Sequence, residues 1–206
     1  MKRRELLKKT ALASGCIVAT PTLLELLVSC QEQPTLSWKP LFLDKKQAFV
    51  VENLVDLILP ASSTVGALEL QIPKFIDLVL NDVLPKNEQT IFIKGAQFFH
   101  HKFEAMFNKA VLEGSKDEFL TLLSKYFKLS AEDQKNVFKL LEKDEKSIEN
   151  IELYVIYKYL TCIRYYTLFG YYTSKEVGTE ILNYNPVPGE YNGCVPVSEV
   201  GNSSSI

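Results

Sequence analysis

From Asp44 to Tyr172 the chain is a succession of apolar residues spaced three and four apart, each run opened by a capping residue or a proline. No alternating apolar and polar run is long enough to form a sheet. Helices of this kind carry one apolar stripe each and must bury it against one another, so the pattern predicts an all-α fold, a single helical domain of about five to seven helices. Asp44 reads as the cap of the first helix, where Val51, Leu54, Val55 and Ile58 form one stripe while Lys45, Glu52 and Asp56 face elsewhere, and Pro60 ends it. Residues 61–71 read as a loop, and Pro73 suits the first turn of a second helix carrying Phe75, Ile76, Val79, Leu80 and Val83 up to Pro85. A third helix is expected over about 87–112, with Ile91, Ile93, Phe98, Phe99, Phe103 and Phe107. Ser115 with Glu118, and Ser130 with Asp133, resemble capping boxes that start the fourth and fifth.

The segment 148–172 holds seven of the ten tyrosines, at 154, 157, 159, 165, 166, 171 and 172. Apolar groups lie all round this helix, which predicts burial on most sides. A membrane span is excluded by Lys158 and Arg164 near its middle, each costing about 2.5–3.5 kcal/mol at a bilayer centre. Tyrosine in such numbers has two uses: core filler with a wet tip, or a protein contact surface.

Ahead of this body, Lys2, Arg3, Arg4, Lys8 and Lys9 form a positive segment, and Ala11 to Val28 an apolar one. Residues 1–30 therefore read as a signal peptide, followed by a tether and lead-in at 31–43, where Pro34 and Pro40 exclude a helix and Trp38 is expected to lie on the body. Arg3, Arg4, Leu7 and Lys8 fit a twin-arginine export signal, which implies the twin-arginine translocase as a partner. Leu27, Val28, Ser29 and Cys30 resemble a lipobox, whose cysteine takes a lipid and becomes the new first residue. The other reading of Cys30 is a small buried cysteine in an uncleaved apolar helix. On the first reading the protein is exported and lipid-anchored on the periplasmic side of a bacterial membrane.

Five of the 23 cations and two of the 25 anions fall in the first thirty residues, leaving 18 against 23 and a formal charge of −5. That balance predicts no nucleic-acid partner. Cys162 and Cys194 sit in no CxxC spacing, so no c-type haem and no metal site is expected in this chain; the two thiols are open to pairing with each other, with a partner, or to remaining unpaired. Adjacent His100 and His101 point about 100° apart on a helix and read as a surface or interface pair. Asp56 and Asp77 read as capping or pairing carboxylates. No Ser-His-Asp order, phosphate-cradling loop or GxGxxG is present, and no catalytic residue is assigned.

The helical domain is expected over 44–182 and an extended tail over 183–206. In the tail Pro186 and Pro188 enforce an extended course, Gly189 and Gly193 permit turns, and Tyr184 and Tyr191 offer anchors. With Cys194, Pro196 and the helix-end residues Tyr171 and Tyr172 these are the candidate partner interface; the alternative is a tail that wraps its own domain.

Four stretches, LVDLILPAS (54–62) with GALEL and IPKFID, LTCIRYYTLFGYYTS (160–174) and YNPVPGEYNGCVP (184–196), resemble the small subunit, subunit 3, of gluconate 2-dehydrogenase-like membrane oxidoreductases. The twin-arginine start is similar too. The resemblance implies a noncatalytic accessory role beside a large flavoprotein of the glucose-methanol-choline type, which holds FAD and oxidises a sugar or sugar acid, with a cytochrome c subunit carrying haem c in some complexes. It further implies that one signal exports both chains. A free-standing envelope lipoprotein that binds a ligand or scaffolds a complex is the alternative.

Overall fold

A computed structural model of the protein describes residues 36–143, 147–184, 189 and 193–200. Among these the fold is all-α: α1 (Lys45–Ile58), α2 (Ile72–Asp82), α3 (Lys86–Phe107), α4 (Lys116–Phe127), α5 (Ala131–Leu141), α6 (Ile151–Tyr172) and a short α7 (Val197–Val200), with a 3-10 turn at Val111–Glu113 and a π turn at Val177–Ile181. The predicted class therefore holds, and no strand occurs among the described residues.

Local chemistry explains the helix starts. Asp44 accepts from the Gln47 amide at 2.8 Å, and the Gln47 side chain accepts from the Asp44 amide at 3.1 Å, so two orphan N–H groups at the start of α1 each find a side-chain acceptor. Ser115 and Glu118 make the same reciprocal pair at α4. At α5 Ser130 caps the Asp133 amide at 3.1 Å, but the Asp133 carboxylate takes the Ser130 hydroxyl instead of the cap's backbone N–H. The third helix stops at Phe107, short of the expected 112, because Asn108 adopts the left-handed conformation at φ 52°. Asparagine tolerates that conformation as a helix end.

The core gathers Leu54 and Val55 of α1, Ile76 and Leu80 of α2, Phe92, Phe99 and Phe103 of α3, Phe119 and Leu122 of α4, and Ile156, Tyr159, Leu160 and Ile163 of α6. Helix α6 touches α1, α2, α3 and α5. Its tightest seam is with α3, where Gly95 sits so close that a Cβ there would lie 2.3 Å from the Val155 carbonyl oxygen and 2.5 Å from the Tyr159 Cβ. The Tyr159 ring fills the resulting space against Phe92 and Phe99, centroids 4.8 and 5.8 Å away. Helix α5 is different: none of its residues is buried.

Two long-range clasps close the body. Asp77, buried in mid-α2, accepts three consecutive backbone N–H groups, from Leu41 at 2.7 Å, Phe42 at 3.1 Å and Leu43 at 2.8 Å. The lead-in is thereby held to the body, and Trp38 lies on it as expected, donating to Glu52 at 2.8 Å. Tyr171 is also buried and donates its hydroxyl to the Val65 carbonyl at 3.0 Å, which holds the 61–66 loop to the end of α6.

Candidate partner interface

From Tyr154 to Leu160 α6 is largely covered: Tyr154, Tyr157 and Tyr159 are buried, and the Tyr157 hydroxyl donates to the Tyr126 carbonyl at 3.3 Å. Over its second half one side opens. Tyr165 is 60% exposed, Phe169 45% and Tyr172 44%. These three lie four and three residues apart, so they share one stripe of the helix. The Tyr165 and Phe169 rings stack with centroids 6.1 Å apart, and Phe75 from α2 stacks on Phe169 at 6.3 Å. Phe75 in turn reaches that position because Gly170 has no side chain; a Cβ there would lie 2.7 Å from the Phe75 ring. The exposed rings are thus held in place by packing from below.

Arg164 borders the stripe and lines a groove of about 250 Å³ with Tyr126, Phe127, Phe138, Tyr157 and Thr161. A second cleft of about 530 Å³ lies against the same Tyr157 and Val137, lined as well by Asp133, Lys139 and Lys143. Helix α5 contributes to both.

Burial decides the titration of the groups beneath. His100 is buried, its Nε2 finds no hydrogen-bond partner among the described residues, and loss of hydration lowers its pKa to about 4. The expectation that His100 belongs to a surface pair is therefore corrected: only His101 is exposed. The Tyr159 hydroxyl is likewise buried without a partner, and burial raises its pKa. Burial pushes the Cys162 thiol up to about 12, which leaves it a poor nucleophile. Glu52 is raised by partial burial, opposed by the bond from Trp38. Glu118 is lowered to about 2 by the Lys109 ammonium and the Ser115 amide.

Of the sequence-predicted interface, Tyr172, Tyr184, Gly189, Gly193, Cys194 and Pro196 are exposed. Tyr171 is not: its ring and hydroxyl are committed to the body's own packing, which corrects its assignment to a surface. Pro186, Pro188 and Tyr191 lie outside the described residues, as do Arg3, Arg4, Leu7, Lys8 and Cys30. No disulfide joins Cys162 to Cys194. Asp56 pairs with Lys116, as carboxylates near helix ends do, whereas Asp77 neither caps a helix nor pairs with a cation. Among the described residues no three His, Cys, Asp or Glu side chains gather where they would hold a metal, and no helix is long and apolar enough to cross a membrane. Sequence reasoning missed Arg164, Tyr165 and Phe169 as surface groups. Their spacing was visible, but on a helix apolar all round it does not say which stripe is left open.

Fold and surface together define an all-α protein with an exposed stripe of stacked aromatic rings. Residues 45–189 match the family described as gluconate 2-dehydrogenase subunit 3, and the chain belongs to that family, one of subunits of a dehydrogenase complex. The match runs from α1 through the π turn to Gly189. No curated protein and no solved structure matches the chain.

Proposed function

We propose that this protein is the noncatalytic small subunit that co-exports, stabilises and membrane-anchors a flavin-dependent sugar or sugar-acid dehydrogenase of the glucose-methanol-choline type. The observation that carries the reading is the family match over 45–189. The Arg3–Arg4 pair supports co-export, because the twin-arginine route moves folded proteins and one signal then serves a partner already loaded with FAD. Cys30 in its lipobox supports the anchor: acyl chains contribute about 0.8 kcal/mol per buried methylene, and two or more chains hold a protein firmly at a bilayer. In this reading FAD and the reacting atoms belong to the large subunit, haem c to a cytochrome subunit where one is present, and the tail from Tyr184 onward adds contact area to the partner.

The test is isolation of the natively expressed protein from the periplasmic side of the membrane. A copurifying large polypeptide with a flavin absorption spectrum is expected. Changing Arg3→Lys with Arg4→Lys should strand both chains in the cytoplasm, since lysine keeps the charge but not the paired-arginine signal, and Cys30→Ser should release the protein from membranes. A chain recovered alone, without flavin, would favour the free-standing lipoprotein instead.

A further inference from the structure

Between Leu153 and Tyr172 the only charged residues of α6 are Lys158 and Arg164, both cations. Neither forms a salt bridge among the described residues; Lys158 rests over the Tyr154 ring at 5.6 Å. Lys158, Tyr165 and Tyr172 recur every seven residues, with Phe169 between, and so lie along one stripe, with Arg164 at its edge beside the α5 groove. A cationic aromatic stripe on a body whose formal charge is −5 without its first thirty residues runs against the background of the molecule. The rings are also held rigid by the Phe75–Phe169–Tyr165 stack, so little freedom is lost when something covers them.

The geometry points to this stripe, Lys158, Arg164, Tyr165, Phe169 and Tyr172 with the adjoining α5 groove, as the docking surface for a segment of the large dehydrogenase subunit that presents bulky apolar side chains flanked by carboxylates. The inference rests on the accessory-subunit reading and specifies the chemistry of its partner. Charge complementarity sets the carboxylates, because neither cation is neutralised by a salt bridge among the described residues and both can attract them. The groove sets the apolar part: about 250 Å³ is below the roughly 300–1,000 Å³ of sites that enclose small molecules, and suits one or two side chains. Tyrosine and arginine are also the residues that dominate protein contacts. An anionic membrane is disfavoured, since surfaces that bind one gather about four to eight cations and this stripe carries two.

The experiment uses the full chain in its isolated native complex and a carbodiimide, which couples a lysine amine to a carboxylate only when the two touch. Lys158, and residue 164 in an Arg164→Lys variant, should couple to aspartate or glutamate of the flavin-bearing polypeptide, mapped by mass spectrometry. Arg164→Glu and Phe169→Ala should each weaken retention of that polypeptide about thirtyfold, the loss expected of a contact worth about 2 kcal/mol. Lys45→Glu, on exposed α1 surface, should not, and thermal unfolding of the isolated Arg164→Glu and Lys45→Glu variants should match the parent because those side chains are exposed, whereas Phe169→Ala also removes the middle ring of the stack and is compared with the parent well below its own unfolding temperature. If the parent chain brings the flavoprotein and the variants bring it equally well without coupling at Lys158, the docking surface is elsewhere and the accessory role stands. If the parent brings no flavoprotein, both fall. Binding of the chain to phosphatidylglycerol vesicles, lost in Arg164→Glu while flavoprotein retention persists, would give the surface to a membrane and overturn the inference.

Discussion

Helices α5 and α6 meet along the Tyr157 side of the molecule, and the contrast between them separates what forms a helix from what fixes it. Helix α5 has a serine cap, two acidic residues in its first turn and a lysine in its last, as the helix dipole favours, yet none of its residues is buried and Phe138 stays 64% exposed. Helix α6 has ten buried residues and a seam with α3 so close that it depends on the missing side chain of Gly95. Good local signals form α5; interdigitation fixes α6. The tight region tolerates little change and carries the weight of the fold, while the loose one leaves grooves.

Breaking the tight region should cost most. Gly95→Ala forces a methyl into the Val155 carbonyl oxygen, which is backbone and cannot rotate away, so α3 and α6 must separate; we expect about 3 kcal/mol of destabilisation, read by denaturant unfolding. A cost below ~1 kcal/mol would mean that the seam is slack and the contrast with α5 overstated. Next comes Asp77→Ala, which strips the acceptor from three backbone N–H groups and should cost about 2.5 kcal/mol, with hydrogen exchange at Leu41, Phe42 and Leu43 accelerating well beyond the rest of the body. Uniform exchange across those amides before and after the change would show that the clasp does not hold the lead-in.

The third test uses pH. His100 has its folded pKa lowered to about 4 from 6.5, so its contribution is intact above pH 6.5 and is lost as the pH falls toward 4, where the unfolded chain takes up a proton that the folded one refuses. Stability should drop by about 2 kcal/mol between pH 7 and pH 5 from this group, and His100→Leu should flatten that slope. Asp44, Lys46, Glu104 and His101 are the charges that face it and shape the remainder of the curve. An unchanged slope in the variant would remove His100 from the account. The smallest effect belongs to α5: Phe138→Ser should change stability by no more than ~0.5 kcal/mol, since the ring is mostly in water already. A loss several times larger would mean that α5 is fastened more firmly than its exposure indicates.

Much of this was legible in the chain. The starts of α1, α4 and α5 could be read because a cap and its partner lie three residues apart, and the stop of α1 because Pro60 cannot continue it. The end of α3 was misjudged by several residues because the choice of Asn108 to turn left-handed competes with an apolar pattern that runs on to Val111, itself buried from a 3-10 turn. Of the candidate interface, Tyr172 is exposed, whereas Tyr171 next to it faces inward, because successive helical residues point about 100° apart and only packing sets which one meets the core.

What the chain determined by itself is therefore the helical class and most helix boundaries, because those follow from hydrogen bonds and steric limits among residues a turn apart. Tertiary structure alone decided the rest. Asp77 reaches amides 34 to 36 residues away, and the Tyr171 hydroxyl finds a carbonyl 106 residues away. Packing of α3 against its neighbours takes His100 and Tyr159 out of water, and the failure of any described neighbour to cover the second half of α6 leaves Tyr165, Phe169 and Arg164 exposed. Burial is a property of what arrives from elsewhere in the chain, and no local pattern encodes which stripe of an all-apolar helix will be left without a neighbour.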